Sequence, residues 1–273
     1  MKISYLHWLL AISAVFLLLE RLFPWRKGQR SLRAGWLRDL GLLALNGHFF
    51  SLVTAGVIGA VAVAATRALH VLGVQLEGSP IRTWPFAGQF LVFLVLSDFL
   101  QWCTHNLLHR VPWLWTFHKV HHSIATMDWI GNWRFHWMEI LVYKSVQWLP
   151  LALLAAAPEV VFSVAVVTTV WGDLNHANLD VRLGPLAYVL NGPRMHLWHH
   201  DQSSEGGAAK NFGIVLSVWD FVFGTAYWPR GRSPERLGYP GMEEMPATFH
   251  GQVLWPVTRG AAARPPAPEG SGA

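Results

Sequence analysis

The chain has 273 residues, of which 52% are hydrophobic and only 14% are charged, and it contains sixteen tryptophans. This composition is typical of a polytopic membrane protein and argues against an ordinary soluble enzyme. The formal net charge is +5, but the basic residues flank apolar segments, so an anionic membrane surface explains them better than a nucleic acid. The single cysteine, Cys103, excludes an internal disulfide framework, a cysteine-ligated iron–sulfur cluster and a CxxC zinc site.

Three apolar segments predict membrane helices, at about residues 5–19, 40–66 and 85–103. The first lacks a basic leader and a small-residue cleavage site, which indicates a retained helix and not a signal peptide. The loop between the first two segments is basic, and its residues include Arg26, Lys27, Arg30 and Arg33. By the positive-inside rule, this loop is expected in the cytoplasm and the N-terminus outside.

Two further apolar stretches, 138–157 and 160–171, are separated by Pro158 and Glu159 and predict a helical hairpin that dips into the bilayer. Counting the crossings places the histidine-rich regions 105–136 and 176–200 on the cytoplasmic side. The aromatic segment 212–228 is expected to lie along the interface and to cover these regions. The tail from residue 260 is rich in Ala, Pro and Gly, which predicts disorder.

Ten of the fourteen histidines lie between His105 and His200. Residues three or four apart share one face of a helix, so close-set histidines direct their rings to one place. Eight of the ten form three such groups: His105 and His109; His118, His121 and His122; and His196, His199 and His200. His136 and His176 lie between the groups. So many neutral nitrogen donors indicate a metal site.

Eight close-set histidines exceed the three or four ligands of a zinc site and suit a pair of ions. A pair that activates dioxygen must change oxidation state, which iron can do and zinc cannot. The Glu-x-x-His pairs of four-helix di-iron proteins are missing, so a histidine-dominated site of another architecture is predicted.

Carboxylates near the histidines can accept the second ring N–H of a ligand and fix its tautomer. Asp98 precedes His105 by seven residues, two helical turns, and Glu139 and Asp173 lie three residues from His136 and His176. The alternative for each is a helix-end carboxylate bonded to backbone or arginine. Asn178 is either an amide close to the metal or part of a turn.

The histidine groups resemble the histidine boxes of the sterol desaturase and fatty acid hydroxylase superfamily of membrane di-iron enzymes. Further motifs support the resemblance across residues 90–228: Asp98-Phe99, Arg134 to Glu139, His176 to Leu179, Asn211 to Gly213, Trp219-Asp220 and Phe223 to Thr225. It implies an oxidoreductase that uses O2 and two iron ions to hydroxylate or desaturate a C–H bond of a sterol, fatty acyl chain or related lipid. It also implies that the eight box histidines and His176 are iron ligands. For His136, a ligand and a structural hydrogen bond to a neighbouring loop both stay open, because Trp137 stands where the family often has proline.

The sequence thus predicts an all-α, polytopic membrane protein with a histidine-rich metal domain at the cytoplasmic face, in the inner membrane of a cell. Residues 1–84 form membrane helices and the basic loop, 85–228 the catalytic domain that the resemblance indicates, and 229–273 a C-terminal extension with a disordered end. The predicted partners are a lipid that enters from the bilayer into a dry apolar slot and a separate electron donor, with no nucleic acid.

A reductase, ferredoxin or cytochrome must supply electrons, because the chain has no dinucleotide-binding glycine motif and no haem-attachment sequence. Four basic residues are candidates for docking an acidic donor, or serve topology alone: Lys119, Arg134, Lys210 and Arg230. Two other functions are weighed: a membrane metal transporter or metal-binding protein, and a zinc-dependent hydrolase. Neither explains so many histidines with so few carboxylates.

Overall fold

The computed structural model describes residues 5–74, 80–154, 156–202 and 210–258, with side chains up to residue 255. Within these ranges the chain is mostly helical and β-structure is limited to isolated bridges, which confirms the predicted all-α fold. The tail from residue 260, predicted to be disordered, lies outside the described residues. The α-helices in chain order are α1 Tyr5–Leu22, α2 Trp36–Leu42, α3 Phe50–Val71, α4 Phe86–Arg110, α5 Pro112–His122, α6 Trp137–Leu153, α7 Pro158–His176, α8 Pro193–His199, α9 Val218–Val222 and α10 Phe249–Thr258.

Three helical segments in the described residues are long and apolar enough to cross a membrane: Tyr5–Leu22, Trp36–Val71 and Phe86–Arg110. They correspond to the three predicted spans. Much of their apolar surface faces outward, as on α3, where Leu52, Val53 and Val57 are exposed. Exposed apolar side chains in such numbers are typical of a surface that contacts lipid.

A π-helical segment, Leu43–Phe49, joins α2 to α3 and was not predicted. Its wide turn brings Asn46 and Gly47 against the 3₁₀ turn Trp129–Trp133 and the residues that follow it. The Asn46 side chain donates to the Phe135 carbonyl at 2.6 Å. A Cβ on Gly47 would lie 2.8 Å from the Trp133 ring, so this close contact requires glycine.

The predicted hairpin is formed by α6 and α7, and Pro158 starts α7 at a position where its missing N–H is harmless. Helix α4 packs against both arms. Phe93 of α4 belongs to the same apolar cluster as Leu151 of α6 and Val160 and Val164 of α7. Both arms of the hairpin therefore contact α4, the helix that carries the first two histidines of the metal motifs.

The basic loop after α1 packs against the histidine-bearing part of the chain. The Trp25 N–H donates to the Asn178 carbonyl at 2.9 Å, and the Gln29 side chain donates to the Met127 carbonyl at 2.7 Å. Arg33 of this loop is buried and pairs with Asp39 at 2.6 Å and Asp128 at 2.9 Å. The loop and the histidines therefore lie at the same end of the helices.

Candidate metal centre

Nine of the ten predicted histidines come together in two buried sets. The first set is His105, His109, His118, His122 and His199, and the second set is His121, His176, His196 and His200. Within each set, one ring nitrogen from every member lies within 4.8 Å of those of the others. The two sets adjoin, since the His122 and His200 rings stack with centroids 4.3 Å apart.

Helix geometry explains why neighbouring histidines serve different sets. Consecutive residues on an α-helix point about 100° apart, whereas residues four apart share a face. On α5, His118 and His122 therefore join the first set while His121 joins the second. At α8 the same spacing sends His196 and His200 to the second set and His199 to the first. Each His-x-x-His-His motif thus contributes to both sets.

Four of these rings are held by a hydrogen bond from Nδ1 to an acceptor behind them. The acceptors are the Phe212 carbonyl for His105 (2.8 Å), Glu139 Oε1 for His118 (2.7 Å), the Gly172 carbonyl for His176 (2.8 Å) and the Lys210 carbonyl for His199 (2.7 Å). Because a carbonyl or carboxylate can only accept, the proton is on Nδ1 and each Nε2 carries a lone pair. That lone pair is the one required of a metal ligand.

The remaining nitrogens fit a bound metal. Nε2 of His105, His118 and His199 is buried without a hydrogen-bond partner, as are both ring nitrogens of several others: His109, His122 and His200. In the second set, Nε2 of His176 lies 3.2 Å from Nε2 of both His121 and His196. Buried polar atoms without partners destabilise a fold unless something else binds them. An all-imidazole donor set suits a transition metal such as iron and not Mg²⁺ or Ca²⁺.

Burial also keeps these imidazoles in the form that binds metal. Desolvation lowers the pKa of the histidines on α5 and at α8 well below the usual value: His118, His121, His122, His196, His199 and His200. Neighbouring histidines lower it further, because each charged ring would repel the next. The rings are therefore neutral at pH 7, and no proton has to leave before a metal binds.

Of the predicted supporting carboxylates, only Glu139 bonds to a histidine of either set, and that histidine is His118. The prediction that Asp98 accepts the ring N–H of His105 is wrong. Its carboxylate accepts the backbone N–H groups of Val215 (2.9 Å) and Leu216 (3.1 Å) and the indole N–H of Trp219 (2.9 Å). Asp98 is therefore bonded to the segment that covers the histidines. His105 forms its Nδ1 hydrogen bond with a backbone carbonyl of that same segment instead.

The corresponding prediction for Asp173 is also wrong, and the Asn178 amide, for which a place close to the metal was one of two roles left open, bonds to backbone instead. Asp173 accepts from the Asn132 amide at 2.8 Å and the Trp133 indole at 2.9 Å, while His176 uses the carbonyl one turn back. Asn178 exchanges hydrogen bonds with the backbone of Arg26, so its amide fastens the basic loop. Neither side chain reaches a histidine nitrogen.

The sequence left two roles open for His136, a metal ligand and a structural hydrogen bond, and the structure shows the hydrogen bond. Its Nε2 donates to the Val253 carbonyl at 2.5 Å, and its Nδ1 accepts from the Met138 N–H at 3.2 Å, which caps α6. Both ring nitrogens are occupied, and the residue belongs to neither set. Of the two roles left open for His136, the structure therefore supports the structural hydrogen bond and not the metal ligand.

The segment that begins at Lys210 supports the site through its backbone, which side-chain patterns could not predict. Asn211 has a φ of 53°, and its side chain bonds to the Met195 carbonyl and to both backbone groups of Tyr227. This left-handed turn presents the carbonyls of Lys210 and Phe212 to His199 and His105. The available signal was weak: asparagine is among the few residues that adopt this conformation readily.

Two adjoining cavities lead to the histidines. The first, which we call the chamber, has a volume of about 90 Å³ and reaches His105, His118, His121 and His176. The second, which we call the groove, has a volume of about 310 Å³ and lies between α3, α6 and α7. Tyr5, Ser51 and Lys144 line both. The predicted apolar slot is only half correct, because the chamber has many polar side chains: Asn46, Gln101, Asn132, Gln147, Thr168 and Thr169.

One of the predicted docking residues is unavailable to a partner protein. Arg134 is fully buried and pairs with Asp39, and it also donates to the Ser123 carbonyl at 2.8 Å. Its charge belongs to the interior network that also contains Arg33. Lys119 lies over the Tyr239 ring at 5.3 Å and is partly exposed.

Comparison with known proteins places these features in a family. The family model for fatty acid hydroxylase matches residues 90–225, which include all nine clustered histidines. Ornithine lipid hydroxylase OlsE of Rhizobium tropici is 31% identical over 250 residues, which cover 92% of this chain and 74% of that protein. No solved structure matches the chain.

Two further relatives are more distant. Alkylglycerol monooxygenase of Danio rerio is 27% identical over 205 residues, 70% of this chain and 43% of that protein. Cholesterol 25-hydroxylase of Mus musculus is 30% identical over 141 residues, 50% of this chain and 45% of that protein. The chain thus spans less than half the length of these two relatives. The resemblance inferred from the histidine motifs is confirmed: the chain belongs to the fatty acid hydroxylase family of oxidoreductases.

Proposed function

We propose that this protein is a membrane-bound, O2-dependent lipid hydroxylase in which the two histidine sets hold two iron ions. The observation that carries the proposal is the division of nine buried histidines into two adjoining sets, in which several ring nitrogens have no hydrogen-bond partner and three others contact only one another. A transporter would be expected to distribute its ligands along a path, and a hydrolase would need fewer of them. Membership of an oxidoreductase family favours neither alternative.

Iron bound at these histidines would supply the O2 chemistry that attacks an unactivated C–H bond. The residues of the chain perform the positioning. Glu139 and the carbonyls of Phe212, Gly172 and Lys210 orient four ligand rings, and the chamber holds the substrate carbon beside both sets. Holding the reacting carbon in one place is a major source of rate acceleration.

Hydroxylation is favoured over desaturation because the relatives named above are described as hydroxylases or a monooxygenase. Insertion of one oxygen atom from O2 reduces the other to water and consumes two electrons and two protons. We propose that a separate protein, such as a ferredoxin, cytochrome or reductase, delivers the electrons. The substrate is a membrane lipid, and OlsE, which acts on an ornithine lipid by its name, makes acylated amino acids the first class to test.

We further propose that the catalytic domain spans residues 85–228, that the N-terminal 84 residues anchor it, and that the site faces the cytoplasm. The charge bias of the basic loop supports this orientation, because that loop packs against the histidine-bearing segments.

The orientation is tested with Lys27→Cys, an exposed position in the basic loop, in a Cys103→Ser background. A membrane-impermeant maleimide should label this cysteine in inside-out vesicles and leave it unlabelled in intact cells. Labelling of intact cells would contradict a cytoplasmic site.

The metal assignment is tested by His121→Ala and His199→Ala, one from each set, with His70→Ala as the control because it is exposed and outside both sets. The purified wild type and the control should contain about two iron ions per chain and hydroxylate a lipid when O2 and reductant are present. His121→Ala and His199→Ala should each lose iron and turnover but still insert into the membrane. One zinc ion per chain with turnover independent of reductant would contradict the proposal.

A further inference from the structure

The groove and the chamber differ in the polarity of the side chains that line them. The groove is lined mainly by apolar residues, among them Ile58, Leu151 and Val161. The chamber beyond it contains four amide side chains: Asn46, Gln101, Asn132 and Gln147. The groove therefore suits a hydrocarbon tail, whereas the polar lining of the chamber does not.

The amides of the chamber favour a polar occupant. Gln147 donates to Gln101 at 2.9 Å, while the Asn46 Oδ1 atom is buried without a hydrogen-bond partner. A hydrocarbon tail beside such atoms would leave them desolvated and unbonded. A lipid headgroup with hydroxyl, amine or amide groups can bond to them. The part of the lipid beside the histidines is therefore the polar part.

Lys144 is placed where the two cavities meet. Apart from histidines, it is the one ionisable cation among the described residues that line either cavity, and none of these residues is an aspartate or glutamate. Among the described residues it has no ion pair, and its Nζ lies 5.5 Å from the centre of the Trp148 ring. A lysine sheltered in this way without a counter-ion provides a binding position for an anion.

We propose that the substrate is an amphiphile with an anionic group between its tail and the rest of its headgroup, and that it binds head-first. The tail lies in the groove, the carboxylate or phosphate contacts Lys144, and the remaining headgroup enters the chamber. An acylated amino acid has a carboxylate at this position, and a glycerophospholipid has a phosphate. The inference rests on the proposed function and adds that the oxidised carbon lies in the headgroup.

The anion site is tested by the binding of three probes to the purified full chain in uncharged maltoside micelles. The probes are N-lauroylglycine (carboxylate), dodecyl phosphate, and N-lauroylglycinamide (uncharged). The wild type should bind at least one anionic probe about tenfold or more tightly than the amide. The ratio of the two anionic affinities identifies carboxylate or phosphate as the natural group.

Lys144→Met should abolish this preference, and Lys144→Arg should retain most of it. Lys27→Met, which removes the charge of an exposed residue that lines neither cavity, should leave it unchanged. Unfolding temperature and iron content check that each variant is folded. Equal affinity of the wild type for all three probes, or an unchanged preference in Lys144→Met, would overturn the proposal. If Lys144→Met does not fold, the wild type and Lys144→Arg still decide it.

The binding direction is tested with N-lauroylglycine that carries a photoreactive diazirine at the end of its tail. Head-first binding predicts cross-links to groove peptides that contain Ile58, Leu151 or Val161. Cross-links to Gln101, Thr168 or Thr169 of the chamber would show tail-first binding and overturn this inference. Both tests measure binding alone, so a failure of oxygen-dependent turnover with normal binding would count only against the proposed function.

Discussion

In four histidines of the two sets, the hydrogen bond of Nδ1 fixes the orientation of the ring, so that Nε2 points towards the metal site. Of the four anchored histidines, only His118 bonds through Nδ1 to a side chain, that of Glu139, whereas His105, His176 and His199 bond to backbone carbonyls. The pair is buried, with a separation of 2.7 Å, and among the described residues no other side chain supplies a carboxylate to the first set. A carboxylate at this position makes the opposite ring nitrogen more basic and so a better ligand.

Glu139→Gln should keep the hydrogen bond to His118 but remove the negative charge. We expect the affinity for iron, or the turnover of the iron-loaded enzyme, to fall about 10- to 100-fold, while the fold is retained. Iron titration of the apoprotein followed by a turnover assay measures both quantities. Glu159→Gln, at an exposed position on α7, is the matched control and should behave as the wild type. Equal iron affinity and activity in Glu139→Gln would refute the role of this carboxylate.

At the scale of elements, a buried charge network joins three separate parts of the chain. Asp39 of α2 pairs with Arg33 of the basic loop and with Arg134, which follows the 3₁₀ turn. Arg134 also donates to the Gln252 side chain on α10 at 3.2 Å. These contacts hold the loop, the second span and the C-terminal helix against the segment that follows α5, and α5 carries three of the nine histidines.

Asp39→Ala should destabilise the protein strongly, because it leaves two buried guanidinium groups without their shared counter-ion. The expected loss is about 3–5 kcal/mol, measured as a lower unfolding temperature in detergent. Asp180→Ala removes a surface carboxylate that also pairs with two arginines, and it should cost about 1 kcal/mol or less. Similar losses in the two variants would mean that the Asp39 network contributes no more than a surface ion pair.

At the scale of the whole molecule, apolar helices carry a compact histidine domain at one end, and the chain closes over that domain. The segment from Lys210 to Tyr227 is irregular apart from α9, and Asp220 accepts the N–H groups of Phe212 (2.8 Å) and Gly213 (2.8 Å). The result is a set of fully buried imidazoles. Their burial links the stability of the metal-free protein to pH.

The pKa values of the buried histidines on α5 and at α8 lie below those of the unfolded chain, which are about 6.5. Below that pH, the unfolded chain binds protons that the folded apoprotein excludes. Stability is therefore fully present above about pH 6.5 and decreases as the pH falls, by up to about 1.4 kcal/mol per pH unit for each such histidine. Unfolding temperatures of the chelator-treated protein from pH 8 to pH 5 measure this. A constant value across that range would contradict the burial of neutral rings.

Several properties of this protein follow from the sequence alone. The helical spacing of His118, His121 and His122 and the length of the apolar runs are local patterns, so they predicted the helices, the grouped imidazoles and the family. The same spacing also accounts for the division of the histidines into two sets, because adjacent residues on a helix point about 100° apart.

Other properties depend on contacts between residues far apart in the chain. Asp98 has the correct helical spacing from His105 but is occupied by backbone groups more than a hundred residues later, and Glu139 serves a histidine 21 residues before it. The polar chamber and the placement of Lys144 arise because α1, α3, α4, α6 and α7 each contribute a few side chains to one space. Local periodicity states which face a residue occupies; only the packing of the helices decides what that face meets.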